Sequence, residues 1–414
     1  DSYVQQWVAM RGEACVATRQ RKEQSEEVLS LRMACLDRRL MGVKALAGLY
    51  AHADAQVVEK AVGAAQSLDS IHQCADVRAL KAVVPPPKDA ATVAEVRATR
   101  TMVVEAKALI GSGKYEEGQR VAREAVSKAK TLGYRPLEAE ALEGLGEGLM
   151  ETNAKEAETV FEESIWAAQA VSDDRMMALA SLKQAFVVGY LQNRPIDGKR
   201  WGRLSAATVV KLGHDAVLEA ELSNNIGTIL LNEGEYESAL QQFERARLLW
   251  AAAYGGNDEH VARAHFNSSL ALNSIGRNEE SLFQVTRAHE IQEQLFGVLH
   301  PQSLSSLSLM SVAHREIGNL GTAVQLGEKA LHELEKNFPG RFSAFSAQEL
   351  GKTYRLSRRY EEALTHLGAA HRLYVGLYGE GDSNVGQVQT EMAEVYEDQG
   401  KYAQSLEMQK RAYE

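Results

Sequence analysis

Apolar and polar positions along this 414-residue chain never alternate for long, as a half-buried strand would require, and Val, Ile, Thr and Phe are sparse. Ala, Leu, Glu, Gln, Lys and Arg dominate, with only 7 prolines to interrupt them, so the pattern predicts helices throughout. Small residues set a longer period. Gly118, Ala157, Gly198, Ala239, Ser281, Ala323, Ala363 and Ser405 follow one another at intervals of about 39 to 42 residues, a range that signals stacked supersecondary units. Seven residues beyond each stands another small residue: Ala125, Ser164, Ser205, Ala246, Ala288, Ala330, Ala370 and Ala412. That step is two helical turns, so each pair shares a face. Twelve residues before the first set come Ala106, Gly227, Ser269, Ser311, Gly351 and Ala393. Leu145 and Phe186 break this third series, with Gly146 and Ala185 one place away, which predicts a one-residue change of turn length in those two units.

Small residues at three fixed points let two helix backbones approach closely and let the next hairpin nest against them. The turns read GKY at Gly113 to Tyr115, GEY at Gly234 to Tyr236 and GKY at Gly400 to Tyr402, where Gly supplies a left-handed stop. Gly276 and Gly318 keep the stop without the Tyr, and Tyr360 keeps the Tyr without the Gly. This signature resembles that of the tetratricopeptide repeat family. The resemblance implies an all-α, right-handed solenoid of about eight helix-turn-helix units over residues 96–414, the last one truncated. The period of about 42 exceeds the usual one of about 34, adding roughly a turn to each helix. That length, and LFGVLHPQS at Leu295 to Ser303, is similar to the kinesin-light-chain variety.

Residues 1–84 lack the period and read as a separate helical module, with helices over Tyr3 to Thr18, Ser25 to Tyr50 and Ala55 to Leu68, Ser25 serving as an N-cap. Pro85, Pro86 and Pro87 follow Val84 and mark residues 85–95 as a stiff linker running into the first array helix. Cys15, Cys35 and Cys74 all lie in this part, none in a metal-ligand spacing. They read either as small buried side chains or as a disulfide between two of them with the third spare.

Charge narrows the partner class. Lys plus Arg total 46 against 56 Asp plus Glu, a net −10, and no basic stripe is available to bind a phosphate backbone. Nucleic acid is excluded. No apolar run approaches the roughly 20 residues needed to span a bilayer, and no signal-peptide pattern opens the chain. A start at Asp1 and an end at Glu414 within a repeating pattern predict a piece of a longer protein.

The chemical motifs dissolve into the repeat. GSGKY at Gly111 to Tyr115 has Tyr115 where a phosphate-binding loop needs Ser or Thr, and GLGEG at Gly144 to Gly148 follows no strand, so they read as a turn and as close packing. His260 with His265 and His366 with His371 are five apart, off a common helical face, and Glu162–Glu163 and Asp173–Asp174 diverge on a helix. The expectation is no catalytic residue, no metal and no cofactor.

The segments WVAMRGEACVATRQ at Trp7 to Gln20 and QSEEVLSLRMACLDRRL at Gln24 to Leu40, then VVEKAV and Cys74, together with the array, resemble the region beyond the membrane anchor of myxobacterial-type serine/threonine protein kinases. The resemblance implies an extracytoplasmic sensor or docking region, with a membrane anchor and kinase upstream, where a disulfide would persist. This stretch has no HRD, DFG or glycine-rich kinase loop of its own. Alternatives are a stand-alone cytosolic receptor for a peptide signal, an adaptor like kinesin light chain, and an enzyme with a cryptic site in the first module.

In such an array the first helix of each pair lines a concave groove that would hold a protein or peptide segment. Asn224, Asn225, Asn232, Asn267 and Asn273 fall at groove-facing offsets from the turn glycines, and an amide offers both a donor and an acceptor to an extended main chain. Arg263, Arg315, Lys352 and Arg355 fall at similar offsets and predict a clamp for an acidic or carboxylate-ended partner. Glu391, Glu394 and Glu397 make the far end acidic. A surface of merely solvated polar side chains is the competing expectation.

Overall fold

The computed structural model describes residues 2–82, 84, 87 and 89–413, and among them every regular element is helical. They form two compact units, Asp1–Gly234 and Glu235–Glu414. The division falls at the GEY turn inside the repeating part.

The first unit opens with α1 (Ser2–Arg19), α2 (Glu26–Tyr50), α3 (Ala55–Gln66), a 3-10 turn (Ile71–Ala75) and α4 (Val77–Ala82). Ser25 caps α2 by accepting from Val28 N at 3.3 Å. Cys35 on α2 and Cys74 in the 3-10 turn form a disulfide with Cα atoms 5.5 Å apart, and Cys15 is free. The bridge sits in a small core with Leu36, Ile71, Trp7 and Met33. Trp7 Nε1 donates to Leu36 O at 2.7 Å, and Arg32 Nε donates to Cys74 O at 3.2 Å. A core this small needs a covalent tie, and closing a loop of this length stabilises by about 3 to 4 kcal/mol in the chain-entropy picture.

Asp89 caps α5 (Ala90–Gly111) by accepting from Thr92 N at 2.8 Å. Of the three prolines, Pro87 is among the described residues, and Pro85 and Pro86 lie outside them. The module packs on α5 through Leu46, Ala64 and Ala108. It also caps the first GKY turn: Gln56 Nε2 donates to Gly113 O at 2.9 Å and Lys114 Nζ pairs with Asp54 at 2.7 Å. Hairpins follow, with α5 paired to α6 (Tyr115–Leu132), α7 (Arg135–Met150) to α8 (Ala154–Gln169), and α9 (Asp174–Phe186, continued by a π turn at Val187–Leu191) to α10 (Pro195–Lys211). α11 (Ala216–Asn232) closes the unit.

The second unit holds α12 (Tyr236–Tyr254), then the hairpins α13 (Glu259–Ser274) with α14 (Asn278–Phe296), α15 (Pro301–Glu316) with α16 (Leu320–Asn337), α17 (Arg341–Leu356) with α18 (Tyr360–Tyr378), and α19 (Ser383–Asp398) with α20 (Tyr402–Tyr413). Within each unit the first helix of a hairpin also touches the first helix of the next, as α5, α7, α9 and α11 do, and α13, α15, α17 and α19 do. Trp250 and Phe243 are fully buried on α12. Each contributes roughly 1.5 to 3 kcal/mol by leaving water.

The small positions are where hairpin backbones meet. Ser281 Oγ donates to Ser269 O at 2.9 Å, Ser311 Oγ donates to Ala323 O at 2.6 Å, and a Cβ on Gly351 would lie 2.7 Å from Leu367 and 3.2 Å from Ala363 O. The two breaks in the series have opposite causes. In a regular turn the amide before the second helix bonds five residues back, as Lys114 N to Leu109 O and Arg277 N to Leu272 O. Between α7 and α8 it reaches only four back, Asn153 N to Leu149 O, so that turn is one residue short. Between α9 and α10 it reaches six back, Arg194 N to Val188 O, because the π turn adds a residue. The first change moves the small position to Gly146, which faces Phe161, and the second to Ala185, whose carbonyl faces Gly198.

Capping follows the same logic. Regular second helices carry no side-chain cap, since a left-handed residue such as Gly276 or Gly318 completes their turn. Where the glycine is missing, Arg358 takes the left-handed conformation at φ 59°. The short turn before α8 has no left-handed residue, and there Asn153 supplies a side-chain cap to Glu156 N at 3.2 Å.

Gly198 and Gly189 make the closest of these approaches, with a Cβ on Gly198 falling 2.3 Å from Gly189 Cα. Gly198→Ala is therefore expected to destabilise by about 3 kcal/mol. Gly48→Ala, on an exposed face of α2 with nothing within 4 Å, is expected to stabilise by about 0.5 to 1 kcal/mol. Urea unfolding of the two variants against the parent chain checks both signs.

Candidate interaction faces

The first helices give each unit an inner face, and one register position on them carries the most telling side chains. Asn225, Asn267, Glu349 and Glu391 each stand ten residues before the N-cap of the following second helix, Lys183 occupies the same place once the long turn is allowed for, and Glu143 lies one residue off it.

In the first unit these residues form a ladder of charges. Glu143 on α7 is fully buried and accepts from Lys107 on α5 and from Lys183 on α9, and Lys183 also pairs with Glu147. Burial alone would raise the Glu143 carboxyl, but the two ammonium groups outweigh it and hold it at about 2. Arg100 Nε pairs with Glu140 at 2.9 Å, and Arg175 pairs with Asp215. Asn224 and Asn225, expected to face a ligand, are both buried. Asn225 Nδ2 instead donates to Leu182 O at 3.2 Å, tying α11 to α9. Asn232 is exposed and donates to Asn193 Oδ1 at 2.9 Å.

In the second unit the expected cation clamp is paired internally. Arg315 is only 6% exposed and its Nη1 meets Glu349 Oε2 at 2.9 Å. Lys352 bonds Glu349 at 2.9 Å and stands 3.7 Å from Glu391, and Arg355 meets Glu394 at 2.7 Å. The cations of α15 and α17 are thus met by carboxylates of α17 and α19, which corrects the expectation that they wait for an acidic partner. Burial would raise Glu349, yet Arg315 and Lys352 hold it below its ordinary value. Glu397 is exposed.

Glu391 behaves differently. It is 7% exposed, accepts from Gln348 Nε2 at 2.9 Å through one oxygen, and its Oε2 has no hydrogen-bond partner. Burial dominates over Lys352 and pushes it up to about 7, with Glu349 and Glu394 adding to the rise. Arg263 on α13 lies over the Trp250 ring at 4.8 Å, and His260 lies 5.3 Å from the same ring. Asn267 and Asn273 are half-buried on α13, with Asn273 Oδ1 lacking a hydrogen-bond partner. Asn267, Asn273 and Lys352 keep partial access to solvent, whereas Asn224, Asn225 and Arg315 are buried.

Glu349 and Glu143 are the residues that sequence reasoning missed. Their partners, Lys183 and Arg315, lie on neighbouring first helices, so no pattern within one repeat marked them.

Two measurements test these assignments. Asn225→Ala is expected to cost about 1 to 2 kcal/mol of stability in urea unfolding, because it strips the Leu182 carbonyl of its donor. Because the folded chain holds the Glu391 proton more tightly than the unfolded chain, the stability contributed there falls as pH rises from 4.5 towards about 7. Glu391→Gln is expected to remove that fall, gaining on the order of 2 to 3 kcal/mol on the parent at pH 8 and little at pH 4.5. Urea midpoints of both chains at the two pH values check it.

Comparisons with known proteins bear on the fold. Aspartyl phosphate phosphatase F from Bacillus subtilis superposes with a TM-score of 0.54 at 15% identity, covering 91% of this chain and 93% of that one. A Rap protein solved in complex with competence and sporulation factor gives 0.52 at 12% identity, covering 77% of this chain and 97% of that one. Among curated sequences, the secreted RxLR effector protein RXLR-C07 of Plasmopara halstedii is 21% identical over 255 residues, or 51% of this chain and 78% of that protein. The fold is an all-helical solenoid of the tetratricopeptide type. The tetratricopeptide repeat model matches residues 218–293 and 343–414, and the chain carries tetratricopeptide repeats.

Proposed function

We propose that the chain is a protein-interaction scaffold that holds a protein or peptide segment against the inner face of its repeats. The observation that supports this most is the register of Asn267, Asn273 and Lys352. These half-buried side chains, two on α13 and one on α17, offer donors and acceptors where an extended main chain would run. The Rap protein of similar fold, solved with competence and sporulation factor, adds support.

The finer reading rests on the sequence resemblance: the chain serves as the sensor or docking region of a bacterial serine/threonine protein kinase, on the extracytoplasmic side. The buried Cys35–Cys74 bridge favours an oxidising compartment. A second reading, a stand-alone cytosolic receptor or a kinesin-light-chain-like adaptor, draws on the likeness to the Rap protein. The coding sequence upstream of Asp1 separates them, since a kinase domain followed by a membrane span supports the first and the absence of both supports the second.

Binding itself is tested with a randomised peptide library displayed on phage and selected on the whole immobilised chain. Enriched peptides are expected to bind Asn267→Ala about five- to tenfold more weakly, the value of one net hydrogen bond. Enriched peptides whose affinity ignores that substitution, and ignores Lys352→Gln as well, contradict the assignment to the inner face.

A further inference from the structure

Glu391 of α19 is buried with its two carboxylate oxygens in unequal surroundings. Gln348 Nε2 of α17 donates to Oε1 at 2.9 Å, Gln387 Nε2 donates to the same oxygen at 3.4 Å, and Lys352 Nζ stands 3.7 Å from it. Oε2 is enclosed and has no hydrogen-bond partner. The Tyr374 hydroxyl of α18 donates to Gln348 Oε1 at 3.2 Å, which leaves the Gln348 amide nitrogen turned to Glu391. Lys352 is already engaged on its other side. Its Nζ donates to Glu349 Oε1 at 2.9 Å, and Glu349 is met in turn by Arg315 of α15 at 2.9 Å.

The titratable groups around Glu391 come from each element packed on α19. α17 presents Glu349 and Lys352, and α18 presents the Tyr374 hydroxyl and His371, which meets Gln389 of α19 at 3.2 Å. α19 itself adds Glu394, paired with Arg355 at 2.7 Å, and on α20 Glu407 and Arg411 pair with each other in solvent at 2.6 Å. Burial outweighs Lys352 and raises the Glu391 carboxyl to about 7, so its charge changes near neutrality. A buried carboxylate with an unsatisfied oxygen is costly, and the cation at hand is Lys352. A lysine carries three donors on a flexible stem, so one ammonium can serve Glu349 and Glu391 at once.

We propose that Glu391 is a proton-operated latch on Lys352, which leaves the ammonium free for a ligand when neutral and holds it between α17 and α19 when ionised. The latch rests on the scaffold reading above and deepens it with a regulation of the same face. With Glu391 protonated, Lys352 spends one donor on Glu349, and the half-buried ammonium keeps the others for an acceptor on a bound segment. With Glu391 ionised, a second donor is drawn to that carboxylate, and the bound segment must compete with it. A ligand held through Lys352 therefore favours the protonated chain, raises the Glu391 carboxyl further and takes up protons as it binds. Binding tightens below neutrality and weakens above it.

Two readouts on the whole chain test the latch. The first needs no ligand: trace labelling with an amine-reactive ester, read by mass spectrometry, gives the reactivity of Lys352 relative to exposed Lys329. Between pH 6 and pH 8 that ratio is expected to fall about fivefold in the parent, because an ionised Glu391 stabilises the ammonium, and to stay flat in Glu391→Gln. The second follows a peptide selected on the chain from the phage library at pH 6. The parent is expected to bind it about tenfold more weakly at pH 8, the equivalent of one unit of coupling, whereas Glu391→Gln holds it at pH 8 as tightly as the parent does at pH 6. A ratio that is flat in the parent, or that falls equally in Glu391→Gln, overturns the latch and leaves the scaffold reading in place. Selected peptides that bind the parent equally at both pH values overturn the latch too. Selection of no peptide at either pH overturns both.

Discussion

Two helix backbones in a hairpin approach closely only where neither carries bulk at the crossing. That constraint organises each unit. Ser281 against Ser269, Ala323 against Ser311 and Gly198 against Ala185 are the same contact, and the turn between the helices must bring those positions opposite each other. The turn is therefore adjusted to the contact. A left-handed glycine, a left-handed Arg358, a short turn capped by Asn153 and a turn lengthened by a π bulge are four local solutions to one packing requirement.

Close packing of hairpins leaves the first helices side by side, and what they carry decides what the inner face can do. Bases and acids on adjacent first helices meet: Lys107, Glu143 and Lys183 in one unit, Arg315, Glu349, Lys352 and Glu391 in the other. Buried ion pairs of this kind add little net stability over apolar packing, but removing one member strands the other, so they fix the register of neighbouring repeats. Glu143, Arg315 and Glu349 are buried in these cross-links, whereas Lys352 is only half-buried. Outside the ladder, Asn267 and Asn273 of α13 stay half-buried on the same face.

The array was legible because its constraint acts locally: small residues at fixed offsets recur in every unit, and the one-residue breaks at Leu145 and Phe186 foretold the two altered turns. The first three helices were legible from Ser25 and the apolar spacing, with the 3-10 turn and α4 missed because they are short. The site was less legible. Glu143 finds Lys183 at a separation of 40 residues and Gln348 finds Glu391 at 43, so the partner of each side chain lies one repeat away, where no local pattern reports it. Asn225 has the offset of a ligand-facing residue, but the carbonyl of Leu182 needs a donor and takes it. With three cysteines the sequence left the pairing open, and packing of the 3-10 turn on α2 brings Cys74 to Cys35.

Hydrogen–deuterium exchange of the whole chain, with and without a peptide enriched on it, tests the central claim most directly. The scaffold account predicts slowed exchange confined to the inner first helices, above all α13, α15 and α17, with α14, α16 and α18 unchanged. Protection that falls on those second helices, or that spreads evenly through both helices of each hairpin, would contradict it.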